Sequence, residues 1–226
     1  MCGRFTRYLT WSEIHRLYRL TLDWEKQKND EPRYNICPTE DVDFVTAGEN
    51  GSHRLKTGRW WLVPWWAKEM PKAAMFNARI ETADTSGAFK DAWKSKRCLI
   101  PADGFYEWTK SPADGGKDPW HIHLPDHQPF SFAGLWAYNE KLGVTSCTII
   151  TMPAEEPVTQ IHDRQPAILH PAVYDQWLDP VTPSERLKPL VREHNLDGQL
   201  QFYRVGREVN ATKFQGEQCI APVNPL

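Results

Sequence analysis

The residues best suited to chemistry stand at the start of the chain. In Met1-Cys2-Gly3-Arg4 the cysteine comes second, and its small side chain marks Met1 for trimming. Trimming leaves Cys2 with an α-amine and a thiol on adjacent carbons. Free pKa values of about 7.7–8.0 for the amine and about 8.5 for the thiol keep usable fractions of both nucleophiles at neutral pH. Such a 1,2-aminothiol can attack an aldehyde through nitrogen and close through sulfur to a five-membered thiazolidine. It can also attack an acyl group, with its own amine as base. The plainer alternative is a cysteine that packs as a small hydrophobe after the initiator.

Further stretches carry groups that could assist. Gly104-Phe-Tyr-Glu-Trp108 sets Glu107 among aromatics. Desolvation there would raise its pKa and suit it to acid/base work; if the alternation turns it outward, it is only a solvated edge charge. Phe76 to Thr82 alternates so that Asn77, Arg79 and Glu81 share one face. His162 and Arg164 stand just before Pro166 and an apolar run, a position suited to a loop mouth, with the arginine placed as in a phosphate-contacting site.

Trp60-Trp-Leu-Val-Pro-Trp-Trp66 is followed by Lys68 and Lys72. Aromatics beside positive charge are what a single-stranded nucleic-acid groove requires, and a buried aromatic corner would have the same composition. In Trp120-His-Ile-His-Leu124 two histidines, His121 and His123, fall on one face. They make half a metal site, no third ligand is recognisable nearby, and no metal or other cofactor is expected.

The elements that must position these groups follow from pattern. Thr10-Trp-Ser-Glu13 is a capping box opening a short helix with Ile14, Leu17 and Tyr18 inward. Residues 24–33 read as loop. Val42–Thr46 and Arg54–Val63 are predicted strands around a turn at Glu49-Asn-Gly-Ser52, with Pro64 as the stop. A helix is predicted over Gly87–Lys94, then one long strand over Arg97–Trp108, a loop over Lys110–Pro119, and strands over Trp120–Leu124, Phe130–Tyr138, Val144–Thr151 and Leu200–Val205. Short helices are predicted over Pro171–Leu178 and Ser184–Val191.

The 226 residues carry a net charge of −2, so any contact with nucleic acid must come from a local basic patch. Eleven tryptophans offer rigid surfaces for packing or stacking. No apolar run approaches the roughly 18 residues that would span a bilayer, and no signal-peptide pattern follows Met1. Five cysteines, widely spaced and with no Cys-x-x-Cys pair, form neither a disulfide framework nor a zinc ribbon. A reducing, cytoplasmic setting fits them. With no repeat and no linker, the expectation is one α+β domain over residues 1–226, with an irregular, barrel-like, mostly antiparallel β core and short peripheral helices.

Six stretches in order, Met1–Arg4, Tyr34–Thr39, Trp60–Trp66, Asn77–Thr82, Gly104–Trp108 and His162–Pro166, resemble the SRAP family (SOS-response-associated peptidase), whose members cross-link to abasic sites in DNA. The resemblance implies that Cys2 forms a thiazolidine with the deoxyribose aldehyde and that Asn77 positions the Cys2 amine and the opened sugar. It implies that Glu107 is the acid/base in sugar opening and Schiff-base handling, and that His162 shuttles protons. Arg4, Arg79 and Arg164 would hold flanking phosphates, Trp65 or Trp66 would lie against a base, and Pro38 and Thr151 would complete the DNA-contacting set.

The implied partner is single-stranded DNA carrying abasic sites, met by a monomer during the response to DNA damage. The resemblance also implies autopeptidase removal of residues before the cysteine; with only Met1 there, an aminopeptidase could do it. Trp61, Met152 and Gln165 depart from the family pattern, which usually has glycine, a small polar residue and methionine there. Two rivals remain at this level: an N-terminal-nucleophile glutamine amidotransferase using Cys2, and a non-catalytic single-strand binding module built on the tryptophans.

Overall fold

The computed structural model describes residues 2–18 and 31–223; of the predicted loop over 24–33, residues 24–30 lie outside them, and Arg33 already begins a strand. Strand β1 (Phe5–Arg7) leads to helix α1 (Trp11–Tyr18), then come β2 (Arg33–Ile36), β3 (Asp41–Ala47) and β4 (His53–Trp60). The chain continues through β5 (Asn77–Arg79), α2 (Lys90–Ser95), β6 (Arg97–Ala102), β7 (Gly104–Lys110), β8 (Lys117–His123), β9 (Phe130–Asn139) and β10 (Val144–Pro153). The last elements are β11 (Arg164–Pro166), β12 (Ile168–Leu169), α3 (Tyr174–Leu178), α4 (Ser184–Glu193) and β13 (Gln201–Arg204).

Strands β10, β4, β3, β6 and β9 follow one another edge to edge, and β9 pairs back onto β10, closing a five-stranded barrel. Closure removes free edges from that ring. All its joints are antiparallel except β10 with β4. A second, wholly antiparallel sheet runs β13-β8-β7-β1-β2. The α+β, barrel-like expectation therefore holds.

Alternation along the barrel strands feeds two cores, because successive side chains leave opposite faces. Phe44, Ile100, Phe132 and Ile149 join Phe5, Phe105 and Ile122 of the second sheet. Val45, Leu99, Leu135 and Ile150 instead meet Ile14 and Tyr18 of α1, Trp93 of α2, Trp177 of α3 and Leu187 of α4. The Thr10 capping box is present: the Glu13 carboxylate accepts the Thr10 N–H at 2.8 Å.

One long strand over Arg97–Trp108 was the expectation, and the structure divides it. β6 belongs to the barrel and β7 to the second sheet, with the chain crossing at Asp103. The cause is local. The buried Asp103 carboxylate accepts the backbone N–H of Tyr8 at 2.5 Å and of Leu9 at 3.2 Å, and Gly104 packs so close to His121 that an added Cβ would fall 2.2 Å from its Nε2. Other boundaries shift less. Strand β4 ends at Trp60, before Pro64, and β8 begins at Lys117, inside the predicted loop.

Candidate active site

Cys2 lies just ahead of β1, which is held between β2 and β7. The antiparallel register Phe5↔Phe105 runs the chain start alongside the Glu107 end of β7. The Cys2 side chain is wholly buried in the core between barrel and second sheet. Burial first, and the Glu107 carboxylate second, push its thiol far above the usual range. With Met1 attached, the Cys2 nitrogen is an amide and the residue is a latent nucleophile.

Asn77 reaches Cys2 directly, its Nδ2 donating to the Cys2 carbonyl at 2.8 Å. Its position is fixed by β5, which lies parallel to β10 in the register Ile149↔Asn77 and Thr151↔Arg79. The predicted alternation is observed, with Ala78 and Ile80 buried and Arg79 and Glu81 outward.

Glu107 points inward and is 2% exposed. Loss of water raises its pKa; His162 opposes the shift, and Asp163 adds to it. His162 Nε2 lies 3.9 Å from the Glu107 carboxylate. On the other side of the ring, Nδ1 accepts the Arg164 backbone N–H at 2.9 Å and meets the Asp163 carboxylate at 2.8 Å. A carboxyl group that holds its proton more tightly than an exposed glutamate does, beside an imidazole, forms a proton-transfer pair.

Glu107 and His162 form one wall of a cleft of 540 Å³ that also contains Trp108, Lys110 and Lys117. A neighbouring cleft of 450 Å³ shares Trp108 and Lys117 and reaches Gly3 and Arg4. Trp108 and Lys117 thus line both hollows, one of which reaches His162 and the other Gly3. The sequence reading missed Trp108, Lys110 and Lys117. The available signal was their placement, next to Glu107 and on the two arms of the hairpin that follows it.

The expected phosphate ligands are in unequal situations. The Arg4 guanidinium donates to Asn35 Oδ1 at 2.8 Å and to the carbonyls of Val209 and Asn210, and it lies over the Trp108 ring. Arg164 grips Glu81 through both terminal nitrogens, at 2.5 and 3.1 Å, and donates to the Thr151 carbonyl and hydroxyl. That pairing holds the Glu81 carboxyl below its usual range. Arg79 is exposed at the end of β5. Thr151 is buried opposite it, and Pro38 begins the turn whose next residue, Thr39, has φ 80°.

Trp65 and Trp66 are 60% and 52% exposed, which excludes a buried corner for both rings. Trp66 joins two hollows. One, of 280 Å³, contains Trp65, Trp136 and Lys96; the other, of 490 Å³, contains Lys68 and Lys72. Lys56 and Lys96 both lie against the Trp136 ring, at 4.9 and 4.5 Å from its centre. Trp60, by contrast, is fully buried.

Of the three departures, Met152 and Gln165 face inward. Met152 packs in the helix-side core, its sulfur against Asn195, and buried Gln165 bonds Asp197 and the Glu155 N–H. Trp61 donates to the Pro71 carbonyl at 3.3 Å and packs beside Phe76 at the root of the tryptophan loop.

The expectation that His121 and His123 have no third ligand nearby is corrected. His127 returns to them, and one candidate ligand nitrogen from each ring lies within 4.8 Å of the other two. Two left-handed residues, Asp126 (φ 53°) and His127 (φ 52°), make that return, and the His-x3-His spacing of 123 and 127 was the signal that could have found it.

Among known proteins, the family model described as SOS response associated peptidase (SRAP) matches residues 1–212. The chain is 36% identical to the abasic site processing protein YoaM of Bacillus subtilis, with both proteins covered completely. It is 29% identical to the abasic site processing protein YedK of Escherichia coli, over 99% of this chain and all of that protein. A crystal structure of a protein from Bacteroides thetaiotaomicron superposes with a TM-score of 0.83 at 20% identity, over 98% of this chain and all of that one, and so shares the fold.

Proposed function

Since the chain belongs to the SRAP family, we propose that it processes abasic sites in single-stranded DNA by capturing them covalently through Cys2. The observation that carries this reading is the convergence of four side chains from distant parts of the chain. Asn77 bonds the Cys2 carbonyl, Glu107 raises the Cys2 thiol, and Glu107 faces His162 at 3.9 Å.

The mechanism begins with removal of Met1, by autopeptidase chemistry at Cys2 or by an aminopeptidase, which frees the α-amine. An abasic deoxyribose is mostly a closed hemiacetal, so protonated Glu107 gives a proton to the ring oxygen while the C1′ hydroxyl loses one to water, and the ring opens to the C1′ aldehyde. The Cys2 amine adds to C1′, and the carbinolamine loses water to become a Schiff base, with Asn77 holding the nucleophile in place. The Cys2 sulfur then adds to the imine carbon. His162 takes the thiol proton, the imine nitrogen receives one, and the thiazolidine closes with one water released overall.

DNA binding falls to the surfaces around this centre. Lys110, Lys117 and Arg79 supply positive charge, and Arg164 becomes a phosphate ligand when it exchanges Glu81 for the backbone. Arg4, already committed to Asn35 and two carbonyls, adds potential rather than a new bond. Trp65 and Trp66 stack on bases. The protein acts as a monomer, in the cytoplasm, and needs no cofactor.

The test mixes purified protein with single-stranded DNA bearing one abasic site and looks for a heat-stable adduct on a denaturing gel. Wild type should give the adduct, and Cys2→Ala none. If mass spectrometry shows Met1 gone and no adduct forms, covalent capture is wrong. Release of ammonia from glutamine by the same preparation would favour the amidotransferase reading instead.

A further inference from the structure

A second site stands on the five-stranded sheet. His121 and His123 project from the same face of β8, and the turn Pro125–His127 swings the His127 ring over that of His123, with centroids 4.1 Å apart. Tyr203 of β13 contacts all three rings. Among the described residues the three imidazoles have no acidic partner, and rings so packed gain little from stacking, since each must lose water to be there.

The hydrogen bonds fix where the ring protons sit. Tyr203 has a single hydroxyl proton, and it is donated to the Ile220 carbonyl at 2.9 Å. The Tyr203 oxygen at 3.1 Å from His121 Nδ1 therefore accepts, and the His121 proton is on Nδ1. His123 Nδ1 likewise donates to the Leu124 carbonyl at 2.7 Å. Both rings keep their lone pairs on Nε2. His121 is wholly buried, and among the described residues its Nε2 has no hydrogen-bond partner.

This is the arrangement of metal-ligating histidines, whose far nitrogen donates to a carbonyl or other oxygen and so orients the ring and strengthens the ligand. We propose that His121, His123 and His127 together bind one divalent transition-metal ion of the zinc class. Zinc takes imidazole nitrogens at about 2.0–2.1 Å in tetrahedral geometry. The present separations, within 4.8 Å, close to that spacing by rotation of His127, the outermost of the three. Water or a small anion completes the fourth position. The bound ion ties the 125–127 turn to β8 and, through Tyr203, to β13.

The test uses untagged, full-length protein carrying Cys2→Ala, so that no aminothiol competes for metal. After treatment with a chelator, zinc alone is titrated by calorimetry, and cobalt(II) is followed by its visible spectrum. One ion per chain is expected, with micromolar or tighter affinity and a tetrahedral, sulfur-free cobalt spectrum. His127→Ala, a change on the surface, should weaken binding at least tenfold and leave the melting temperature of metal-free protein within a few degrees of the parent. His162→Ala should bind zinc as the parent does. Absence of binding by the parent, undiminished binding by His127→Ala, or loss of binding in His162→Ala would each overturn the proposal. In the last case the ion would belong to the Glu107 cleft.

Discussion

The Glu107 cleft and the tryptophan shelf handle water in opposite ways. In the cleft, Cys2 and Glu107 are removed from solvent and their proton affinities rise together. On the shelf, Trp65 and Trp66 are more than half exposed and lysines line the hollows beside them. Desolvation changes the reactivity of an ionisable group; exposure preserves the flat face that a base can cover. Under the proposed function the first region serves the reaction and the second serves affinity, so mutations in the two should register in different measurements.

The largest effect should come from the cleft. Glu107→Gln keeps the shape and removes the transferable proton, so the single-turnover rate of cross-linking should fall about 10²–10⁴-fold. DNA affinity, measured by fluorescence anisotropy, should stay within about twofold of wild type. Equal losses in both quantities would erase the distinction between the regions.

Burial also sets the direction of the pH profile. The protonated, donating form of Glu107 persists to higher pH than that of an exposed glutamate, because its pKa is raised. The rate should therefore decline as pH rises through that pKa, and Glu107→Gln should lack the decline. A rate that climbs over the same range in wild type would make Glu107 a base in the slow step.

Asp103 supplies a control that belongs to both regions, since it holds the crossing between barrel and second sheet. Burial raises its pKa to about 7, above the unfolded value. Its contribution to stability is thus fully present below about pH 4 and is lost as pH climbs toward 7, by up to about 1.4 kcal/mol per unit. In urea unfolding, the stability advantage of wild type over Asp103→Asn should be larger at pH 5 than at pH 8. An advantage independent of pH would mean that the carboxyl titrates normally.

Smaller effects lie on the shelf. Trp66→Ala should weaken binding to single-stranded DNA roughly 5- to 100-fold, the range for loss of one stacked base, with the rate at saturating DNA unchanged. Smallest of all, Glu81→Gln loosens Arg164 and should tighten binding about two- to threefold at low salt, with the gain fading as salt rises.

The sequence was most legible where a side chain's role depends on its immediate neighbours. Alternation put Asn77, Arg79 and Glu81 on one face, and Thr10 with Glu13 marked the start of α1. It was least legible where distant strands decide. Whether Glu107 points in or out depends on the pairing of β7 with β1 and β8, and local alternation left both directions open. The break at Asp103 is caused by the N–H groups of residues 8 and 9, which no local pattern near 103 records. The Arg164–Glu81 pair joins β11 to a residue just beyond β5, two strands brought together only by their pairing with β10, so neither stretch records the contact by itself.

The long strand β10 has a further consequence. It carries β4 at Ser146–Cys147 and then, in the same parallel sense, β5 at Ile149–Thr151. The chain leaves this strand after Trp60 and is back on it by Asn77, so residues 61–76, with both exposed tryptophans, form an excursion whose two ends are tied to a single rail. Leu62 and Val63 are buried and Val63 bonds Ser146 of that strand, whereas the exposed Trp65 and Trp66 touch neither register. If the proposed roles hold, descendants of this chain can change those two side chains, and with them the nucleic acid gripped, without moving Asn77 relative to Cys2, so that recognition diversifies while the reaction stands still.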